Sequence, residues 1–242
     1  MKISEKDRLF VLTGAGVSAG SGLATFRGDG GLWRNYRAEE VANIAAWRRD
    51  PQLVWEFYSM RRRNALAAKP NPAHVALAEI EKELGERFFL CTQNVDSLHE
   101  QAGLRRVHHV HGELMKTKCD SCAREPFADD ATYDEAAALP KCDCGGTLRV
   151  SVVWFGEMVS GMERVLHELQ RSTAFVAIGT SGVVEPVASF VRALPHRNTL
   201  YIGPEKPANG AAFTEFMLGP AAEMVPKFAE MFTAKGAKGR KG

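Results

Sequence analysis

A chain of 242 residues has room for one large domain, or for one domain that carries a smaller insert. Hydrophobic residues make up 45% and charged residues 25%, which excludes a disordered, collagenous or disulfide-stapled miniprotein class. With 31 basic and 29 acidic side chains the net charge is +2, so no overall field selects nucleic acid or an anionic membrane as a partner.

The opening segment from Met1 to Arg8 carries charges of both signs, and the apolar run that follows is far too short for a signal-peptide core. No stretch approaches the roughly 18 apolar residues of a membrane helix. A cytoplasmic location is expected, where reducing conditions favour thiolates over disulfides. Continuous apolar runs at 9–12, 88–91, 175–178 and 200–202 predict strands covered on both faces, as in a parallel sheet. Helical patterns lie between and around them at 51–68, 72–84, 162–171, 185–194 and 221–232, with Asn71-Pro72 and Gly219-Pro220 marking two helix starts. This alternation predicts an α/β fold built on a doubly wound, Rossmann-like parallel sheet. The stretch 113–149 breaks the pattern, being loop-rich and short of periodic apolar positions while holding four of the five cysteines. The tail from 234 to 242 is basic and rich in glycine and alanine, and fraying is expected there.

Four motifs carry chemistry. Gly14-Ala15-Gly16-Val17-Ser18-Ala19 follows the first strand and matches G-x-G-x-x-G/A, in which small residues let the backbone turn tightly beside a pyrophosphate. No acidic residue is clearly placed about 20 positions on, so the loop Thr25-Phe26-Arg27-Gly28 is expected to supply part of the grip, a cation for phosphate and an aromatic face for a ring. Thr92-Gln93-Asn94-Val95-Asp96 sits just past the strand at 88–91, where open α/β sheets place ligands, although helix capping by Asn94 or Asp96 accounts for the same pattern. The run Val107-His108-His109-Val110 ends in His111-Gly112. Period-2 geometry points His109 and His111 to one face and His108 to the other.

The fourth motif is the most specific by spacing. Cys119-x-x-Cys122 is followed, after 19 residues, by Cys142-x-Cys144, two thiolate pairs suited to a tetrahedral structural Zn²⁺. Cys91 lies in a predicted buried strand and is assigned to the core. Acidic side chains outnumber basic ones in the cysteine-bearing insert, so no nucleic-acid surface is expected there.

Taken in order, the two glycine-rich loops, Thr92 to Asp96, His111-Gly112, the paired cysteines, Val153-Trp154-Phe155-Gly156-Glu157 and Gly179-Thr180-Ser181 closely resemble the sirtuin family, from about Arg8 to Phe232. The resemblance implies NAD-dependent removal of acyl groups from protein lysines, with NAD as co-substrate and the zinc as a structural bystander. It implies a Rossmann-like NAD-binding domain made of 1–33, 70–112 and 150–233, a helical insert at 34–69, a zinc-binding insert at 113–149 and a flexible tail at 234–242.

By position, Gly14, Ala15, Gly16, Ser18 and Ala19 would cradle the diphosphate with Arg27 nearby, while Thr25, Phe26 and Trp33 would line the nicotinamide side. Gln93, Asn94, Val95 and Asp96 would hold the ribose and carboxamide, with Asn94 taking part in catalysis, and His111 would be the general base. Gly179, Thr180, Ser181, Gly203, Glu205 and Ala221 would lie along the adenosine. Val152, Val153, Phe155, Gly156 and Glu157 would pair edgewise with the substrate peptide. The implied chemistry begins when an acyl-lysine carbonyl oxygen attacks the ribose carbon as nicotinamide leaves; the base then activates a ribose hydroxyl, and the products are nicotinamide, acyl-ADP-ribose and free lysine. The chain departs from the family pattern at Gly20, where an acidic residue is common, at Val150, where proline is frequent, and at Gly203, where an asparagine usually meets the adenosine ribose.

Tyr58 and Arg61 are three residues apart in a helical pattern and therefore share a face, where a hydroxyl and a guanidinium make a carboxylate clamp. The pair resembles that of the sirtuin class that prefers succinyl- and malonyl-lysine. Arg62, four residues after Tyr58, is an alternative cation. The resemblance implies acylated protein lysines as partners, with no specific nucleic acid, no membrane and a monomeric chain; the competing readings are a mono-ADP-ribosyltransferase and a non-catalytic NAD-binding scaffold.

Overall fold

The computed structural model describes residues 1, 3, 6–24, 32–33, 36–134, 138–159, 161–183, 185, 187–194 and 196–239, without the side chains of 32, 33, 36, 38, 39 and 231–239. Strand β1 (Leu9–Thr13) opens the chain and is followed by a short hairpin, β2 (Leu32–Trp33) with β3 (Tyr36–Arg37). Three helices come next: α1 (Ala38–Val41), α2 (Ile44–Arg49) and α3 (Pro51–Ala67). Then α4 (Pro72–Leu84), β4 (Phe88–Thr92), α5 (Leu98–Gln101) and β5 (Val107–His109) return to the main sheet, before β6 (Gly112–Cys119), β7 (Phe127–Ala128) and β8 (Leu148–Val152) leave it again. The chain ends with α6 (Met162–Arg171), β9 (Ala174–Ile178), β10 (Thr199–Gly203), β11 (Glu215–Leu218) and α7 (Ala221–Gly239). Among the described residues no helix is long and apolar enough to cross a membrane.

Six strands form the main sheet in the order β11-β10-β9-β1-β4-β5, every pair parallel. Numbered along the chain this is the doubly wound arrangement, and the order reverses between β1 and β9. The continuous apolar runs form strands because helices cover both faces. Leu9 and Val11 point to one face, into a cluster with Leu77 and Ile80 of α4 and Val225 and Phe228 of α7. Phe10 and Leu12 point to the other, against Val165 and Leu169 of α6 and against Phe190. Asn71 caps α4 by accepting from the Ala73 amide, and Pro72 occupies the first turn, as its fixed φ favours.

Several elements differ from the sequence expectation: α5 and β11 were not predicted, and α7 continues to Gly239, through residues of the tail expected to fray. The helical pattern at 185–194 forms only a 3-10 stretch, Val187–Arg192. Proline at both 186 and 195 leaves few residues for a helix, and the β-branched Val187 and Val191 favour it poorly. The cysteine-bearing stretch, read as loop-rich, contains a three-stranded antiparallel sheet in the order β7-β6-β8. The β6–β8 register shifts between Glu113 and Thr117, and this irregularity breaks the period-2 signal that would otherwise have marked β6.

That second sheet packs on α2 and α3, so the chain segments 38–67 and 112–154 share one core of Trp47, Val54, Trp55, Tyr58, Leu114, Val152 and Trp154. Arg62 fastens the two segments. Its guanidinium is fully buried, and its N–H groups donate to Leu114 O, Lys116 O, Ala131 O, Thr117 Oγ1 and Asp129 Oδ2. The alternative that Arg62 serves as a cation for ligand is therefore replaced by a structural role, since every donor of its fork is committed. Arg62→Met should destabilise the fold by about 3–5 kcal/mol, because Asp129 and three carbonyls lose a buried partner. Equilibrium denaturation checks this, and a loss below about 1 kcal/mol would contradict the fastening role.

Candidate active site

The turns that follow β1 and β9 meet at the point where strand order reverses, the crevice in which open α/β sheets bind ligands. Gly14 N donates to Ile178 O and Gly16 N to Gly179 O, each at 2.9 Å. A Cβ on Gly16 would lie 2.7 Å from the Gly179 Cα, and Gly179 itself is left-handed at φ 61°. Both glycines are thus required by the contact of the two turns. The Val17 and Ser18 amides close the local 3-10 turn. The Ala15 amide has no partner among the described residues.

Beside this turn lies a buried polar network. The Ser18 hydroxyl donates to Asp96 Oδ2 at 3.2 Å and accepts from Asn94 Nδ2 at 3.0 Å. His74 is pushed down to about 4 by burial and is neutral near pH 7. Its Nδ1 accepts from the Asn71 amide, so the proton sits on Nε2, which faces Ser18 Oγ at 3.4 Å. Burial raises the Asp96 carboxyl, opposed by the hydrogen bonds from the Leu98 amide and Ser18. One strand-end further, Gln93 Nε2 donates to Thr180 Oγ1 at 3.0 Å and ties the β4 loop to the β9 loop. His74 and His99 were missed by sequence reasoning. The position of His74, three residues after the N-cap Asn71, is the capping-box signal that could have singled it out. His99 shows no such signal: it lies buried on α5, its Nε2 3.0 Å from Thr13 Oγ1.

The histidines of the 108–111 run separate as period 2 requires. His108 packs on the Phe89 ring, whereas His109 and His111 both turn to the 93–94 loop. Both nitrogens of His109 face acceptors, Asn94 O at 2.9 Å and Glu100 Oε1 at 2.7 Å. Burial pulls the His109 ring down, but the Glu100 carboxylate and the Asn94 carbonyl outweigh it and the net shift is upward. His111 is the reverse case. Burial holds it below the ordinary value of 6.5, against the upward pull of its hydrogen bond to Gln93. A carbonyl only accepts, so the His111 Nδ1, 3.1 Å from Gln93 O, carries the proton and Nε2 keeps its lone pair.

Tyr58 is fully buried on α3, where its oxygen accepts from Trp154 Nε1 at 3.0 Å. Burial raises its pKa, so the phenol keeps its proton. The Arg61 guanidinium lies 5.8 Å from the Tyr58 ring centroid. Of the segment expected to pair with a peptide, several N–H groups are committed inside the chain: Val153 to His111 O, Phe155 to Ala42 O, Glu157 to Trp154 O and Trp154 to the Glu157 carboxylate. The Gly156 amide, at φ 89° and exposed, has no partner among the described residues.

Val95 is buried in the core shared by α3 and β8. Ala19 is exposed, Ser181 half-buried, Glu205 exposed and Ala221 buried at the start of α7. A Cβ at Gly203 would sit 2.4 Å from the Tyr201 hydroxyl, which donates to Thr180 O. The expected contacts of Thr25, Phe26 and Arg27, and the side chain of Trp33, lie outside the described residues.

The Sγ atoms of Cys119, Cys122, Cys142 and Cys144 all fall within 4.8 Å of one another. A tetrahedron with Zn–S of about 2.3 Å has edges of about 3.8 Å, and the Cys119–Cys144 and Cys122–Cys142 pairs stand at 3.6 and 3.9 Å. The tight C-x-C spacing closes because Gly145 is left-handed and because Gly146 leaves room where a Cβ would meet Cys119 Sγ at 2.9 Å. The donor set fits a structural Zn²⁺ with no open position. Cys91 is buried in β4 and its thiol is pushed up by that burial.

Comparison with known proteins decides the family. Residues 14–186 match the model described as Sir2 family. This chain belongs to the Sir2 family. A protein from Escherichia coli (strain K12), named NAD-dependent protein deacylase, is 44% identical over 97% of this chain and 85% of its own length. A protein of the same name from Caulobacter vibrioides is 46% identical over 94% and 98%. Among solved structures, a mutant Sir2 homologue in complex with ADP-ribose superposes with a TM-score of 0.88 at 39% identity, covering 96% of this chain and 95% of that one. A Sir2 homologue–NAD complex gives 0.86 at 40% identity, covering 95% and 91%. Removal of the metal tests the cysteine cluster. Strong chelation should release about one Zn²⁺ per chain and lower the thermal midpoint by several degrees. Loss of zinc with an unchanged midpoint would contradict a structural site.

Proposed function

We propose that this Sir2 family chain is an NAD-dependent protein-lysine deacylase that favours acyl groups ending in a carboxylate. The family and its deacylase relatives support the general activity. The observation that carries the mechanism is the fixed tautomer of His111: Gln93 O holds the Nδ1 proton and leaves Nε2 bare, just past the end of β5, on the loop whose Gln93 side chain reaches Thr180 after β9.

In this reading NAD is a consumed substrate that brings an activated ribose–nicotinamide bond. The turn at 14–18 receives the diphosphate, and by the family resemblance Arg27 would lie near it while Thr25 and Phe26 would line the nicotinamide side. Ser18 fixes the rotamers of Asn94 and Asp96, which hold the ribose and carboxamide. His111 Nε2 takes the proton of a ribose hydroxyl, which then attacks the acyl carbon. The Gly156 amide contributes to strand-like pairing with the substrate backbone, an affinity that demands little of the peptide's side chains.

The acyl preference rests on Tyr58 and Arg61. A carboxylate accepts and never donates, so it suits a phenol that keeps its proton and a guanidinium beside it. An acetyl group offers neither charge nor acceptor at that depth.

Acetyl-, malonyl- and succinyl-lysine peptides should release nicotinamide and the matching acyl-ADP-ribose, identified by mass spectrometry. ADP-ribosylated protein in place of acyl-ADP-ribose would mark a transferase instead. Arg61→Met should lower kcat/KM for the succinyl peptide by about 10- to 100-fold relative to the acetyl peptide, the range of a charge-assisted hydrogen bond of about 1.5–3 kcal/mol. Equal losses on both would refute the clamp. His111→Tyr should abolish turnover while zinc content and fold persist. Because the base works only when neutral and burial lowers its pKa, kcat/KM should rise through a pKa below 6.5 and level off above it. An acid limb centred above 6.5 would assign the proton to another group.

A further inference from the structure

The acyl clamp is built from two residues on α3, yet one of them is set by a third that lies elsewhere in the chain. Trp154 follows β8 and is buried, with its indole 6.3 Å from the Tyr58 ring and inclined by 26°. Its Nε1–H donates to the Tyr58 oxygen at 3.0 Å. An indole nitrogen can only donate, so the direction of this hydrogen bond is fixed: the phenol oxygen accepts, and the phenol proton must leave on the other side. We propose that Trp154 is a positioning residue for acyl specificity, holding the Tyr58 hydroxyl as a donor toward a substrate carboxylate. The proposal rests on the reading of Tyr58 and Arg61 as the clamp.

Trp154 is itself held more firmly than a side chain that only fills space. The Arg149 guanidinium lies 3.5 Å from its ring centroid, and Trp47 packs at 5.5 Å on another side. Arg149 is 1% exposed, and its Nη2 donates to Val152 O at 3.2 Å and to Glu157 Oε2 at 2.8 Å. The same carboxylate oxygen accepts from the Trp154 amide at 2.8 Å. Backbone and ring of Trp154 are therefore both held by one partly buried ion pair, and the indole delivers that order to Tyr58. A hydroxyl whose rotor is set beforehand loses less entropy when a ligand arrives. A Tyr58 left without the indole would still be a phenol in the same place, but its proton could turn inward and its oxygen could meet the carboxylate as a second acceptor.

Trp154→Phe keeps the ring and removes the donor. Relative to the parent, the ratio of succinyl to acetyl kcat/KM should fall about three- to tenfold, the range of one neutral hydrogen bond, mainly through a higher KM for the succinyl peptide. If Trp154 acts through the hydroxyl, Tyr58→Phe combined with Trp154→Phe should lower the ratio no further than Tyr58→Phe alone. In Tyr58→Phe, which leaves the indole in place, the Trp154 Nε1–H resonance should shift upfield as its acceptor is lost. This spectrum gives a readout even where Trp154→Phe does not fold. Additive losses in the double variant, an unchanged ratio in Trp154→Phe, or an unmoved indole resonance each overturn the proposal while Arg61→Met still collapses the ratio. A ratio that survives both Arg61→Met and Tyr58→Phe overturns the clamp itself.

Discussion

The contact between the turns after β1 and β9 is the constraint on which the site depends. Adjacent parallel strands deliver both turns to the same edge of the sheet, and the backbones touch there with no side chain between them. Amides that a glycine-rich turn would otherwise leave open are used to join the turns, at Gly14 and Gly16, while that of Ala15 is left without a partner among the described residues. Once the two turns are locked, the β4 loop has a fixed wall to bind against. Gln93 reaches Thr180 across it, and the carbonyl of that same Gln93 orients His111. A backbone contact at the centre of the sheet thereby sets the proton position on a ring two strands away.

Much of this was legible in the sequence because the relevant signals are local. The runs at 88–91 and 175–178 are apolar at every position, as strands covered on both faces must be, and Asn71-Pro72 fixed the start of α4 to the residue. The cysteine spacing anticipated a cluster that the structure closes to tetrahedral dimensions. What escaped reading was non-local. β6 lost its alternation to a register shift against β8, β11 is a short edge strand of mixed exposure, and Trp154 reaches Tyr58 across 96 positions of sequence. His99 looked like any histidine on a short helix; only the fold brings Thr13 to it.

Three buried ionisable groups recur around the site and are held in different manners, Arg149 with its Nε and Nη1 left without a hydrogen-bond partner among the described residues. Arg62 spends its donors on carbonyls and Asp129, Arg149 combines an ion pair with an aromatic face, and Asp96 accepts from a hydroxyl and an amide. Burying an ion is costly, and an apolar residue of the same volume would often stabilise the fold more. Directional partners are what such groups provide in exchange. Arg62 sets how α3 lies on β6, Arg149 sets the Trp154 ring, and Asp96 sets the rotor of Ser18. All three concern orientation at short range, where an aliphatic side chain would allow several arrangements of similar energy.

The pair at positions 201 and 203 ties two residues of β10 together. Both side chains would rise on the same face, and a Cβ at 203 would meet the Tyr201 hydroxyl. A substituent there would make the phenol give way, and with it the hydrogen bond that the phenol donates to Thr180 O. The bare backbone at 203 is what lets a ring on β10 brace the loop that follows β9.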